Sequence, residues 1–202
     1  MIKIGLTGSI GMGKSTTAGL FAAEGTPVND ADAVVHDLYR SDAVAPVEAA
    51  FPGVASTGVV DRAELARRLS DDPAGFKKLE AIVHPLVRMR EEQFLDQQAR
   101  LGADIVLLDI PLLFEAGAAH RVDTVVVVTC DPQVQRQRVL ARPGMTEEKF
   151  EMILSRQIPD SQKRRQADFI IDTGHGIDAA TQRVRQILKA VRAGTLSEKN
   201  HA

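Results

Sequence analysis

A single cysteine, Cys130, excludes any intrachain disulfide framework. It ends the apolar run TVVVVTC, where a small buried thiol is a more ordinary occupant than a nucleophile. Excess charge of either sign is also missing: 25 Lys and Arg stand against 27 Asp and Glu, a formal net charge of −2. That balance supplies no global attraction for nucleic acid or an anionic membrane surface, and neither is expected as a partner. No apolar stretch approaches the roughly 18 residues that suggest a membrane-spanning helix. No charged-then-apolar leader precedes the strand pattern that begins at Ile2, so a cytoplasmic location is expected. Internal repeats and low-complexity segments are absent as well.

What is present begins with GSIGMGKS, Gly8 to Ser15, which fits G-x-x-x-x-G-K-[ST]. This pattern wraps a polyanion in backbone N–H groups at a helix N-terminus. Gly8, Gly11 and Gly13 permit a tight concave turn, Lys14 reaches β/γ oxygens, and the Ser15 hydroxyl has the chemistry of a Mg²⁺ ligand. The flanks agree, because IKIGLT reads as a short strand and KSTTAGLFAAEG as a helix ending at Gly25. Gly8, Ser9, Ile10, Gly11, Met12, Gly13, Lys14, Ser15 and Thr16 therefore form the candidate nucleotide site. The guanine-specifying pattern N-K-x-D does not occur, which argues against a GTPase switch.

Short runs IKIGLT, TPVND, DIVLLDI, TVVVVT and DFIIDT recur between helical patterns. They predict an α/β fold of three layers, a five-stranded parallel sheet covered by helices on both sides. Ligands in such sheets bind beyond the carboxyl ends of the strands, which here carry Gly8, Asp30, Asp109, Asp131 and Asp172. Residues 1–202 read as one such domain with additions. Residues 42–102 are mostly helical and far exceed a crossover, so they read as a substrate-binding insertion. Within it Asp61 and Glu64 form a capping-box pattern, Asp72 and Pro73 open another helix, and Pro85 is expected to kink or restart it. Residues 133–166 carry Arg136, Arg138, Arg142, Arg156, Lys163, Arg164 and Arg165. Such a run is ordinarily a solvated face, but beside a phosphate site it reads as a helical lid. Residues 193–202 are polar and read as a frayed tail.

Two carboxylate positions bear on chemistry. In NDAD, Asp30 and Asp32 point the same way if the backbone is still extended; one suits the N-cap of the next helix, and Asp32 is favoured to orient or deprotonate an attacking hydroxyl. Asp109 closes an apolar strand in the Walker B manner and suits Mg²⁺, with a helix cap as the alternative.

GLTGSIGMGKST, NDADAVVH, VVDRAEL, LEAIVHPLVR, LLDIPLLFEAG, QRQRVLAR and SRQIPDSQKRRQADFIID, in that order, resemble the dephospho-CoA kinase family of P-loop kinases, from Ile4 to about Asp172. The resemblance implies transfer of the ATP γ-phosphate, with Mg²⁺, to the ribose 3′-hydroxyl of dephospho-CoA. It makes Lys14, Asp32 and Arg142 the catalytic residues, Gly8 to Thr16 the ATP site, and Ser15 and Asp109 the metal-side residues. It puts Asp32, Arg62, His84, Arg88, Phe114 and Glu115 toward the acceptor. A nucleoside monophosphate kinase, or a kinase of another small alcohol, shares nearly every feature and is the alternative. Thr173 stands where relatives often carry Asn.

Overall fold

The computed structural model describes residues 1–198, apart from the side chains of Asp71 and Pro73. All five apolar runs form strands: β1 (Ile2–Thr7), β2 (Val28–Asp30), β3 (Ile105–Asp109), β4 (Thr124–Thr129) and β5 (Phe169–Asp172). They lie side by side in the order β2-β3-β1-β4-β5. The β1–β3, β1–β4 and β4–β5 pairs are parallel, with Ile2 opposite Ile105, Ile4 opposite Thr124 and Val126 opposite Phe169. Every residue of β3 and β4 is buried, which is why those runs are apolar without alternation. Ile4, Leu6, Ile105, Leu107, Val126, Val128, Phe169 and Ile171 share a core with Phe21 of α1 (Lys14–Ala23) and with Val184, Ile187, Leu188 and Val191 of the last helix, Ile177–Arg192. That last helix buries an i, i+4, i+7, i+8 stripe. β1 is central, and the chain leaves it toward opposite edges of the sheet, so its carboxyl end is the switch point where ligands collect.

The chain divides into two compact units, one made of Met1–Asn29 with the segment from Gln98 onward, the other of Asp30–Gln97. The second unit takes in α2 (Ala31–Leu38), which lies outside the expected 42–102 insertion. It continues with α3 (Val44–Ala50), α4 (Arg62–Asp71) and α5 (Pro73–Arg100), around a core of Leu38, Val47, Phe51, Val54, Leu65, Leu69 and Val83. The helix does not restart at Pro85: α5 runs through it. Loss of the N–H and the ring clash cost about 3 kcal/mol. That is offset because Leu79, Ile82, Val83, Leu86 and Val87 bury the opposite face of the same turns. Only half of the expected capping box forms. Asp61 Oδ1 accepts from the N–H groups of Ala63 and Glu64, whereas the Glu64 carboxylate turns to Arg67 and Arg68, which hold its pKa down at about 2.

The remaining helices of the first unit are α6 (Pro132–Leu140), α7 (Glu147–Ser155), α8 (Asp160–Gln166) and α9 (Ile177–Arg192). Residues 193–198 make contacts that their polarity does not suggest. Thr124 donates to the Leu196 carbonyl, the Glu198 N–H donates to the Asp168 carbonyl, and Arg183 pairs with Glu198. Residues 199–202 of the expected tail lie outside the described residues.

Candidate active site

Gly8 to Ser15 occupy the turn between β1 and α1 at the carboxyl end of the central strand. Gly11 (φ +78°) and Gly13 (φ +90°) are left-handed, a backbone that residues with a Cβ rarely adopt. Gly8 is required for a different reason: a Cβ there would stand 2.8 Å from the Val128 carbonyl oxygen of β4. At Gly11 it would stand 2.4 Å from Val139 of α6, so the loop is pressed against strand and helix on its outer side. Lys14, Ser15 and Thr16 open α1, and their N–H groups belong to the first turn, where a helix has no carbonyl of its own to offer. These donors and the positive end of the dipole make an anion site.

Lys14 Nζ lies 2.5 Å from Asp109 Oδ1, with the side chains only 15% and 1% exposed. Asp109 is thus the counter-ion of the loop lysine, and the helix-cap alternative falls away because residues 111–117 form turns and no α-helix starts between β3 and β4. The donor set suits Mg²⁺. It consists of oxygens only, a hydroxyl at Ser15 and a carboxylate at Asp109. Among the described residues no group of three or more His, Cys, Asp or Glu could hold a metal by itself. Such a cation would complete its shell with phosphate and water, as Mg²⁺ does.

Three of the rim carboxylates have local duties. Asp30 Oδ1 accepts from the N–H groups of Asp32 and Ala33 and caps α2. Asp131 Oδ1 accepts from Gln133 N–H and caps α6. Asp172 Oδ1 accepts from Gly174 N–H. The condition under which Asp30 and Asp32 would point the same way is not met, since α2 starts at Ala31 and places Asp32 in its first helical turn. Capping by Asp30 leaves the exposed Asp32 carboxylate with no capping duty.

A cavity of about 340 Å³ adjoins the phosphate loop, lined by Gly11, Gly13, Thr16, Arg138, Arg142 and Thr173 among others. Arg138 of α6 donates to the Thr173 hydroxyl (2.8 Å) and carbonyl (2.9 Å), and the Thr173 hydroxyl lies 2.9 Å from the Met12 carbonyl. Thr173 therefore braces the loop from the end of β5. Arg136 pairs with Glu147, joining α6 to α7. Cys130 is buried beside the Met12 sulfur, and burial pushes its thiol pKa up, as expected of a core thiol.

In the helical unit, His84 and Arg88 line an open cavity of about 600 Å³ with Lys77, Glu80, Pro85 and Met89, all on one face of α5. Arg62 opens α4 and acts electrostatically on the buried Tyr39, whose pKa burial raises. It does not line that cavity.

A family model for dephospho-CoA kinase, CoaE, matches residues 2–178. The chain belongs to the dephospho-CoA kinase family. It is 61% identical over 194 residues to a dephospho-CoA kinase of Rhizobium meliloti (strain 1021), which covers 96% of this chain and 100% of that protein. It is 62% identical to one from Rhizobium etli, over 95% of each chain. The crystal structure of TT1252 from Thermus thermophilus superposes with a TM-score of 0.80 at 37% identity, covering 96% of this chain and 97% of the other. The fold is that of the P-loop kinases, and ATP is the nucleotide this family uses.

The dephospho-CoA kinase resemblance directs Phe114 and Glu115 toward the acceptor, and the structure gives the surroundings of each. Phe114 lines a cavity with Val122, Thr124, Val125, Arg165 and Asp168. Glu115 Oε1 lies 2.8 Å from Lys163 Nζ and accepts from Ile158 N–H at 2.9 Å. Burial raises the Glu115 carboxyl, but the contacts with Lys163 and Ile158 N–H outweigh it and hold the pKa below the ordinary 4.5. Lys163, read from its neighbours as part of a solvated basic face, is 0% exposed. A lysine there is costly unless paired, so Lys163→Met is expected to lower stability by about 3 kcal/mol, the cost of leaving one charge of a buried pair behind. Lys163→Met with Glu115→Gln should recover part of it; a double mutant as unstable as the sum of the singles contradicts the pair. The pair strengthens folding above the unfolded Glu pKa, and its contribution fades as pH falls through the lower folded value.

Sequence reasoning missed Gln135, Gln157 and Thr173 as loop supports and Leu112 as the one non-glycine residue with positive φ (56°) among those described. A leucine in that conformation is strained by roughly 1–3 kcal/mol. Nothing in the local run PLLFE signals this.

Proposed function

We propose that this chain transfers the γ-phosphoryl group of ATP to the ribose 3′-hydroxyl of dephospho-CoA, forming coenzyme A and ADP. The observation that carries the reading is membership of the dephospho-CoA kinase family over nearly the whole chain, joined to an intact phosphate loop whose lysine is set at the carboxyl end of the central strand. The 3′-oxygen attacks the γ-phosphorus, the bridging bond to the β-phosphate breaks, and ADP carries away that oxygen. Asp32 orients the hydroxyl and takes its proton. Lys14 and the N–H groups of the first turn of α1 hold the phosphate oxygens, and Arg142 comes onto the transferring group from the lid, residues 133–166. The Ser15 hydroxyl and Asp109, directly or through water, would hold Mg²⁺, which would supply neutralisation of the phosphate charge. His84, Arg88 and Arg62 serve the acceptor, in a helical unit that we assign to acceptor binding. This division suits phosphoryl transfer, in which the protein does little covalent work and much positioning. A cytoplasmic location without a nucleic-acid partner completes the reading, in keeping with the net charge of −2.

The test is ADP release coupled to a reporter, with dephospho-CoA, AMP and shikimate offered in turn. Turnover is expected with dephospho-CoA alone. Comparable kcat/KM with AMP or shikimate would replace this reading by a nucleoside monophosphate kinase or a kinase of another small alcohol.

A further inference from the structure

The phosphate loop is held on its outer side by two glutamines from separate parts of the segment read as the lid. Gln135 Nε2, on α6, donates to the Ile10 carbonyl at 2.7 Å. Gln157 Oε1, just beyond α7, accepts from the Ile10 N–H at 3.1 Å. A carbonyl needs a donor and an N–H needs an acceptor, so the two amides are fixed in opposite senses. Gln135 is 6% exposed, and the Ile10 groups it and Gln157 satisfy are part-buried. Neither glutamine belongs to the loop motif, and neither is one of the basic residues by which the lid is recognised.

We infer that Gln135 and Gln157 are positioning residues for ATP, which lock the backbone at Ile10 so that the inner N–H groups of the loop are already aimed when the phosphates arrive. The inference rests on the ATP-binding part of the proposed function. Together with the Thr173 hydroxyl against the Met12 carbonyl, the two amides tie down the outward-facing groups of the loop apex. The inner face is left to the substrate. Ordering a loop beforehand removes that cost from binding, and it acts alike on bound ATP and on the transition state. Loss of either amide therefore shows in ATP affinity and hardly in kcat.

The experiment compares Gln157→Met, Gln157→Glu, Gln135→Met and Gln135→Glu in the full chain by calorimetric titration with Mg·ATP, beside steady-state kinetics with dephospho-CoA. Each Met variant should weaken Mg·ATP binding about tenfold, because the loop then bears on binding the ordering cost that the lost amide had removed. The kcat and the KM for dephospho-CoA should stay within about threefold, as for loss of uniform binding. The Glu variants should part company. Glutamate at 157 still accepts from the Ile10 N–H and should restore most of the affinity, whereas glutamate at 135 cannot donate to the Ile10 carbonyl and should bind no better than Met. A side chain that only fills space would not tell the two positions apart. Unchanged ATP affinity in the Met variants, or no rescue at 157, overturns the inference. If the variants at the buried Gln135 fail to fold, the pair at Gln157 decides alone. Wild-type protein that binds Mg·ATP yet phosphorylates no acceptor would defeat the proposed function without touching this comparison, which is read on ATP binding.

Discussion

Lys14→Ala is expected to lower kcat with dephospho-CoA by at least about a hundredfold at saturating ATP, the scale for removing a preorganised donor from a developing charge. It carries a second consequence that the motif alone does not reveal. Lys14 Nζ sits 2.5 Å from Asp109 Oδ1, and the Asp109 side chain is 1% exposed, so the substitution also takes the cation away from a buried carboxylate. A lower melting temperature should therefore accompany the kinetic loss. Lys14→Ala combined with Asp109→Asn separates the two effects, because removing the buried carboxylate's charge should return stability without returning turnover. Near-normal kcat in the single variant would remove Lys14 from the chemistry. Full recovery of turnover in the double variant would show that its role is only to neutralise Asp109.

Asp32→Asn is the next largest expected effect, a fall in kcat of roughly 10² to 10⁴ with Mg·ATP affinity close to wild type, the usual range for loss of a general base. The lower end of that range is favoured. In a loose transition state the nucleophile's proton moves late, so orientation is the main service, and an amide retains part of it. The structure makes the substitution clean: α2 is capped by Asp30 Oδ1 on the N–H groups of Asp32 and Ala33, so Asp32→Asn leaves the cap in place and should not change the melting temperature. Asp30→Asn is the matching control, since asparagine caps as well as aspartate and kcat should then move only a few-fold. Steady-state kinetics beside Mg·ATP titration decide the matter. Unchanged kcat with weakened nucleotide binding in Asp32→Asn would rule out the base and move attention to Asp30.

All five strands lie where apolar β-branched runs put them, and α1 ends at Ala23 with Glu24 as its C-cap, one residue before Gly25. These features rest on local preferences, period and turn chemistry, which act over a few residues and are written in the order of the chain. Where local and tertiary demands competed, the local reading failed. Pro85 reads as a kink or a restart, and the restart does not occur: α5 passes through it because Ile82, Val83, Leu86 and Val87 have a core to bury themselves in. Lys163 reads as solvated among Arg164 and Arg165, yet it is buried, because Glu115 lies at its ammonium group. Leu112 gives no local sign of its left-handed backbone, which the turn from Leu112 to Ala118 holds in place.

The α/β class, the nucleotide-phosphate loop and, through the order of its motifs, the kinase family are legible in the amino-acid sequence alone. Each of these rests on residues close together in the chain or on a pattern that runs along it. How the other polar side chains are shared out is set by the fold. Asp109, ending β3, meets Lys14, opening α1, whereas the caps that Asp30 and Asp131 supply to α2 and α6 span two or three residues and are local. The fold also sets Gln135 and Gln157, far along the chain, against Ile10. A carboxylate or an amide offers the same donors and acceptors wherever it stands. For Asp109, Gln135 and Gln157 the partner lies 95 to 147 residues away along the chain, and no spacing rule records such contacts.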